Sequence, residues 1–178
     1  MKKKWSTVEL LRHTRHDWLN QIQLIKGNLD LNHKERACQI IDDIIIQSKN
    51  ESHLCNLKME KVAEQLLTFH FQENCFHLDY EVVGDVRSIS CLDDTLFQFQ
   101  TYLFDALNEQ PPSKRQCELY ILYQVLDEAL IIQYEGEGVE VPISVEDYFK
   151  VNSVPFFRLM HYEKENNGFE LKIKAKCD

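Results

Sequence analysis

Apolar residues recur at helical spacing through the first third of the chain. Leu11, Trp18, Ile22, Ile25 and Leu29 are separated by 7, 4, 3 and 4 positions, the seam of an amphipathic or coiled-coil helix. Ala37, Ile40, Ile41, Ile44 and Ile45 repeat the pattern, and Leu54 and Leu57 follow further on. The run Asn28-Leu29-Asp30-Leu31-Asn32 offers a short polar break between the two stripes. From Lys3 to Leu57 the only glycine is Gly27 and there is no proline. Two long helices folded back as an antiparallel hairpin are the natural expectation. A two-helix hairpin buries both stripes poorly by itself. A second copy would complete a four-helix bundle, and packing against the remainder of the same chain is the alternative. A homodimer is expected.

The pattern changes near Met59. A helix is predicted over 62–73, a strand over 77–83, and a helix over 92–109 with Leu96, Phe99, Leu103, Phe104 and Leu107 as its apolar stripe. Strands are predicted over 118–125 and 129–134, around an Asp127-Glu128 turn, and a short helix over 144–150. Strands over 156–163 and 169–176 form a hairpin across Asn166-Asn167-Gly168, a strong turn signal. The fold class is therefore α+β. Residues 1–58 form a helical hairpin that dimerises into a four-helix bundle, and residues 59–178 a small α/β domain. Phe97, Phe99, Phe104, Phe149, Phe156 and Phe157 are its expected core.

Composition narrows the functional classes. The chain has 178 residues, 44% hydrophobic and 28% charged, with a formal charge of -9. Such an acidic balance disfavours nucleic acid as a partner; the one obvious basic run is Lys2-Lys3-Lys4. No stretch approaches the ~18 apolar residues of a membrane span, and no apolar core follows the lysines as a secretory signal requires. A cytoplasmic protein is expected. The six cysteines are scattered, without a C-x-x-C pair, so a structural metal is not expected and the thiols should be reduced and half-buried. His33, His53, His70, His77 and His161 have no paired ligands and read as ordinary core or surface residues. No Gly-x-Ser-x-Gly, P-loop or H-E-x-x-H pattern is present.

The first helix carries the candidate chemistry. With His16 at the origin of a helical wheel advancing roughly 100° per residue, the apolar seam lies on the opposite side. Arg12, His13, Asn20, Gln23 and Gly27 share the His16 face. An imidazole on a solvated face is an available nucleophile, because near neutral pH one ring nitrogen carries a free lone pair. Asp17 could orient the ring or accept its proton, or could be a plain solvated residue. Arg15 and Arg12 could steer or neutralise a phosphoryl group. Gly27 either weakens the helix near its end or lets a partner approach closely.

The string Arg15-His16-Asp17-Trp18-Leu19-Asn20-Gln21-Ile22-Gln23-Leu24-Ile25-Lys26-Gly27 resembles the histidine box H-D-x-x-N-x-L/I-Q-x-I-x-G of one branch of bacterial two-component proteins. That branch holds citrate-type and peptide-quorum sensor kinases and the sporulation phosphotransferases of endospore-forming bacteria. The likeness to the phosphotransferases is strongest over residues 8–58 and extends through Glu51-Ser52, Leu54 and Asn56-Leu57-Lys58. The resemblance implies that His16 is the residue phosphorylated, in a phosphorelay from one response regulator to a second. Arg15 and Asp17 would assist catalysis. Arg12, His13, Asn20, Gln23, Leu24 and Gly27 would meet the incoming regulator. No cofactor is expected on this chain; Mg2+ would be held by the regulator.

Sensor kinases of the branch also carry an ATPase domain with an Asn-rich helix and a D-x-G-x-G loop. Here the helix over 92–109 has only Asn108, at its end, and the candidate loop is Tyr134-Glu135-Gly136-Glu137-Gly138. Tyr134 stands where the adenine-binding Asp would be. The second domain thus resembles a degenerate kinase ATPase domain, while the two glycines by themselves read as an acidic turn after a strand. An ATP-dependent kinase fragment and a non-catalytic dimeric binding module are the alternative readings.

Overall fold

The computed structural model describes residues 6–109, 117–138, 145–152, 154–165 and 167–176. The basic run at Lys2–Lys4, Pro111, the expected helix start at Ser144, Asn166 of the hairpin turn and Cys177 lie outside the described residues. The chain divides into two compact units, residues 1–49 and 50–178.

The first unit contains α1 (Thr7–Asp30) and most of α2 (Lys34–Asn56). A capping box starts α1. Ser6 Oγ accepts the Glu9 amide at 3.2 Å, and the Glu9 carboxylate accepts the Ser6 amide at 2.9 Å, so two backbone donors at the helix end are satisfied reciprocally. The helix passes through Gly27 and ends as the Leu31 amide donates to Gly27 O at 3.1 Å. Asn32 then takes a left-handed conformation, φ 59°, which asparagine tolerates better than most residues. The predicted break is therefore a tight turn.

The second unit begins with the last turns of α2, where Leu54 and Leu57 are fully buried. It continues with α3 (Glu60–Leu67), β1 (His77–Gly84), α4 (Asp93–Asn108), β2 (Glu118–Leu126), β3 (Ala129–Glu137), α5 (Val145–Val151), β4 (Phe157–Glu165) and β5 (Gly168–Ala175). The five strands form one sheet in the order β1-β2-β3-β5-β4. Strands β1 and β2 are parallel and the other pairs antiparallel. Alternation in the strands sends Leu119, Ile121, Tyr123, Ile132, Tyr134, Leu171 and Ile173 into the core. Helix α4 meets them with the stripe its spacing predicts. Phe99 packs edge-on against Tyr134 at 5.7 Å between ring centroids, and against Phe157 at 5.9 Å. Of the expected phenylalanine core, Phe99, Phe104 and Phe157 are buried, and Phe97, Phe149 and Phe156 are partly buried at its edge.

Helix α3 has no cap of its own, since Met59 precedes it. Its first amides are satisfied from a distance: Asp93, at the head of α4, accepts from the Lys61 and Val62 amides at 3.1 and 3.0 Å. The neighbouring Asp94 pairs with the Lys61 ammonium. A carboxylate at a helix N-terminus meets both the free N–H groups and the helix dipole.

Three expectations are corrected. The helix predicted over 62–73 ends at Leu67 and gives way to a 3-10 turn at Phe69–Phe71, because burial of Phe69 against Phe76 and Phe104 turns the chain into β1. The loop expected at 134–138 is mostly strand, since β3 runs to Glu137 with Gly136 paired to Leu119 and Phe169; pairing on both sides overrides the two glycines. It is Gly168 that must be a glycine, as a Cβ there would lie 1.9 Å from Gly136 O. The cysteines also differ from the expected set of half-buried thiols. Cys38, Cys55 and Cys75 are exposed thiols, Cys117 is partly buried, and Cys91 is in a disulfide. Which cysteine meets another in space is set by the fold and not by sequence spacing.

The opposite face of the sheet is strongly acidic. Asp79, Tyr120, Glu135, Glu170 and Glu163 stand in one cross-strand row. Burial, then a hydrogen bond from the Tyr120 hydroxyl to Glu81 at 2.7 Å, then the charges of Glu81, Glu135 and Asp79 push the phenol up to about 12.

Two predictions follow from these contacts. Asp93→Ala leaves the first amides of α3 unpaired and lowers the unfolding free energy by about 1–2 kcal/mol, read by urea denaturation. Glu81→Gln removes a negative charge beside Tyr120 and brings its ionisation back toward 10, read by NMR titration of the ring. Because the folded-state pKa is raised, the contribution of the neutral phenol to stability is complete below pH 10 and fades as pH rises toward 12.

Candidate active site

Helix α1 has no buried residue. Its polar side presents His16 with the side chain 70% exposed, beside Asp17 at 53%. Arg12, His13, Arg15, Asn20, Gln23, Leu24 and Gly27 are all exposed. The helical register brings Asn20 one turn beyond His16, so the two side chains meet. Asn20 Nδ2 lies 3.2 Å from His16 Nδ1, and Asp17 Oδ1 lies 3.4 Å from the same atom. Both contacts fall on Nδ1. Among the described residues no hydrogen bond reaches Nε2, which is left free for an incoming electrophile.

A Cβ at Gly27 would meet nothing within 4 Å. The surface two to three turns beyond His16 is therefore open, with Leu24 58% exposed on it. Thr14 and Asn28 return their side chains to the Leu10 and Leu24 carbonyls at 3.0 and 2.8 Å, so they are engaged locally. Asn20 was expected to meet the regulator, and its direct contact with the ring was missed; the signal is its position four residues after His16.

The seam opposite His16 is largely uncovered. Leu11, Trp18, Ile22 and Leu29 are 63%, 47%, 54% and 49% exposed, and on α2 Ile41 and Ile45 are 41% and 45% exposed. Ile25, Ile40 and Ile44 are partly covered, and Ala37 is buried.

In the second unit, Tyr134, the residue at the head of the candidate glycine loop, belongs to the core. Tyr134 is fully buried. Its hydroxyl is 3.3 Å from Gln100 Nε2, which also bonds the buried Tyr123 hydroxyl. Burial pushes both phenols up strongly, so they remain neutral. The neutral Tyr134 phenol packs edge-on against Phe99. His53 also has a structural place: Nδ1 is 3.1 Å from Val82 O, tying the end of α2 to β1. His70, His77 and His161 are exposed. Among the described residues no group of three or more His, Cys, Asp and Glu could hold a metal ion, and no helix is long and apolar enough to cross a membrane.

Comparison with known proteins agrees with the two-part organisation. Residues 1–57 match the family described as sensor kinase SpoOB-type, alpha-helical domain, and residues 58–175 match sporulation initiation phospho-transferase B, C-terminal. The chain is 32% identical over 158 residues to sporulation initiation phosphotransferase B of Bacillus subtilis (strain 168), covering 88% of this chain and 82% of that protein. Among solved structures, the catalytic domain of histidine kinase ThkA matches with a TM-score of 0.42 at 12% identity, over 71% of this chain and 92% of that one. The same kinase in complex with response regulator protein TrrA matches with a TM-score of 0.40 at 15% identity, over 94% of this chain and 61% of that one. Two family matches that together span nearly the whole chain, and a relative 32% identical over most of both lengths, lead to one assignment: the chain belongs to the sporulation initiation phosphotransferase B family.

Proposed function

We infer that this phosphotransferase passes a phosphoryl group from the aspartyl-phosphate of one response regulator, through a phosphohistidine at His16, to the aspartate of a second regulator that controls sporulation initiation. The observation that carries this reading is an imidazole 70% exposed on a continuous helix, with its contacts confined to Nδ1. The lone pair of Nε2 attacks phosphorus in line. The new N–P bond forms as the P–O bond of the acyl phosphate breaks, and that electron pair leaves on the regulator's carboxylate. Return to the second regulator is the reverse step. Phosphoryl transfer asks chiefly for alignment and charge stabilisation, which suits a nucleophile fixed on a rigid element.

Asp17 orients the ring and supports the proton on Nδ1. Arg15 offsets charge on the transferring phosphoryl group, with Arg12 beside it. His13, Asn20 and Gln23 give polar contacts to the regulator, and the open surface at Leu24 and Gly27 accepts its apolar residues. The Mg2+ of the reaction belongs to the regulator, which carries the aspartate, and this chain needs no bound cofactor. The reaction takes place in the cytoplasm.

The assembly is a homodimer in which two hairpins form a four-helix bundle and present two His16 side chains. The support is the row of exposed apolar side chains from Leu11 to Leu29 and at Ile41 and Ile45. Each large aliphatic or aromatic side chain gains roughly 1.5–3 kcal/mol when it is taken fully out of water, so a second hairpin is favoured over solvent.

In Mg2+ and without nucleotide, a labelled phosphorylated single-domain regulator should label the wild type in an acid-labile, base-stable form. His16→Gln should take no label while its unfolding free energy stays within about 0.5 kcal/mol of wild type, as expected for an exposed side chain. Label from ATP, and none from regulator, would instead identify a kinase. The double variant Ile22→Glu and Leu29→Glu should halve the mass found by sedimentation equilibrium; an unchanged mass would place the interface elsewhere.

A further inference from the structure

Two side chains of α1 converge on one nitrogen of His16, and their demands are opposed. Asp17 Oδ1 lies 3.4 Å from Nδ1 and Asn20 Nδ2 lies 3.2 Å from it. A carboxylate oxygen only accepts, so Asp17 is served when the ring proton is on Nδ1. An amide nitrogen only donates, so Asn20 Nδ2 is served when Nδ1 is bare and the proton is on Nε2. A neutral imidazole has one proton and cannot serve both. Only the first state leaves a lone pair on Nε2, the nitrogen that meets no other group of the described chain.

We propose that Asn20 is a positioning residue that biases the tautomer of His16, favouring the Nε2–H form while its Nδ2 faces the ring and the Nδ1–H form once the Asn20 amide turns over. This rests on the phosphotransfer reading of His16. The terminal torsion of asparagine is broad and nearly two-fold, and Asn20 is exposed, so a half-turn that exchanges Nδ2 for Oδ1 meets no packing. After that turn, Oδ1 accepts from Nδ1–H together with Asp17. Both neighbours then favour one tautomer, and Nε2 is nucleophilic. A docked regulator that offers an acceptor to the Asn20 amide nitrogen draws the amide over. The reactive tautomer is thereby enriched where a regulator is present.

The balance is simple. Solvent takes the proton from Nε2 and returns one to Nδ1, with no net change. The Nε2 lone pair forms the N–P bond, and the P–O electron pair leaves on the regulator's carboxylate. The phosphorylated ring is then a cation whose remaining proton, on Nδ1, is held by Asp17 and by Asn20 Oδ1. The positive charge is met by the Asp17 carboxylate.

The tautomer is read directly from the 15N shifts of the imidazole in the full chain, at a pH where His16 is neutral, for wild type, Asn20→Ala and Asn20→Asp. Wild type should favour the Nε2–H form about fivefold more than Asn20→Ala, the ratio one neutral hydrogen bond supplies. Asn20→Asp, which can only accept, should move the ring to the Nδ1–H form. Equal ratios in wild type and Asn20→Ala, or a wild type already enriched in Nδ1–H, overturn the proposal. Circular dichroism checks that α1 is unchanged in the variants. The label assay with phosphorylated regulator separates the two readings. Shifted tautomers with no transfer would sink the phosphotransfer reading and leave the tautomer assignment standing. Transfer with unmoved tautomers would do the opposite.

Discussion

The amphipathic division of helix α1 is the constraint on which the first unit depends: one face carries polar side chains and the other an apolar seam. His16 stands on a side that no other residue of the described chain covers, while Leu11, Trp18, Ile22 and Leu29 stand on the far side. The apolar side is what can be gripped without touching the imidazole. The 3.6-residue period therefore ties the position of His16 to that of the apolar seam: neither can be moved along the sequence by one position without disturbing the other.

The second unit obeys a different constraint. Its core is a layer between the sheet and α4, and aromatic rings occupy the middle of it, Phe99 against Tyr134 and Phe157. Two buried phenols, Tyr123 and Tyr134, are kept inexpensive by the Gln100 amide that bonds both; an unpaired buried hydroxyl would cost far more than the bond returns. Tyr134, which the sequence alone offered as part of a loop, is instead a fixed member of this interior.

The end of α2 shows how the chain makes use of one element twice. Its earlier turns belong to the first compact unit, while Leu54 and Leu57 are fully buried in the second. His53 adds a hydrogen bond to Val82 O of β1. The Leu57 carbonyl accepts the Ile89 amide at 2.8 Å. The last turns are thus bound into the second core by side chain and backbone alike, which explains why an apolar pair continues so far past the isoleucines of α2.

The hairpin, its break, the apolar seam and the exposed histidine were legible in the sequence, because each follows from residues a few positions apart on one helix. The strands β1, β2, β4 and β5 and helix α4 were legible for the same reason, through period-two or helical alternation. What only the tertiary structure decided depends on residues far apart in the chain. Phe69 finds Phe76 and Phe104 and cuts α3 short. Pairing with β2 and β5 draws Gly136 into a strand. Asp93 caps a helix more than thirty residues before it. The convergence of Asp17 and Asn20 on Nδ1 lies between these cases: helical spacing brings the side chains near one another, but which atoms meet is a matter of rotamers that the spacing leaves open.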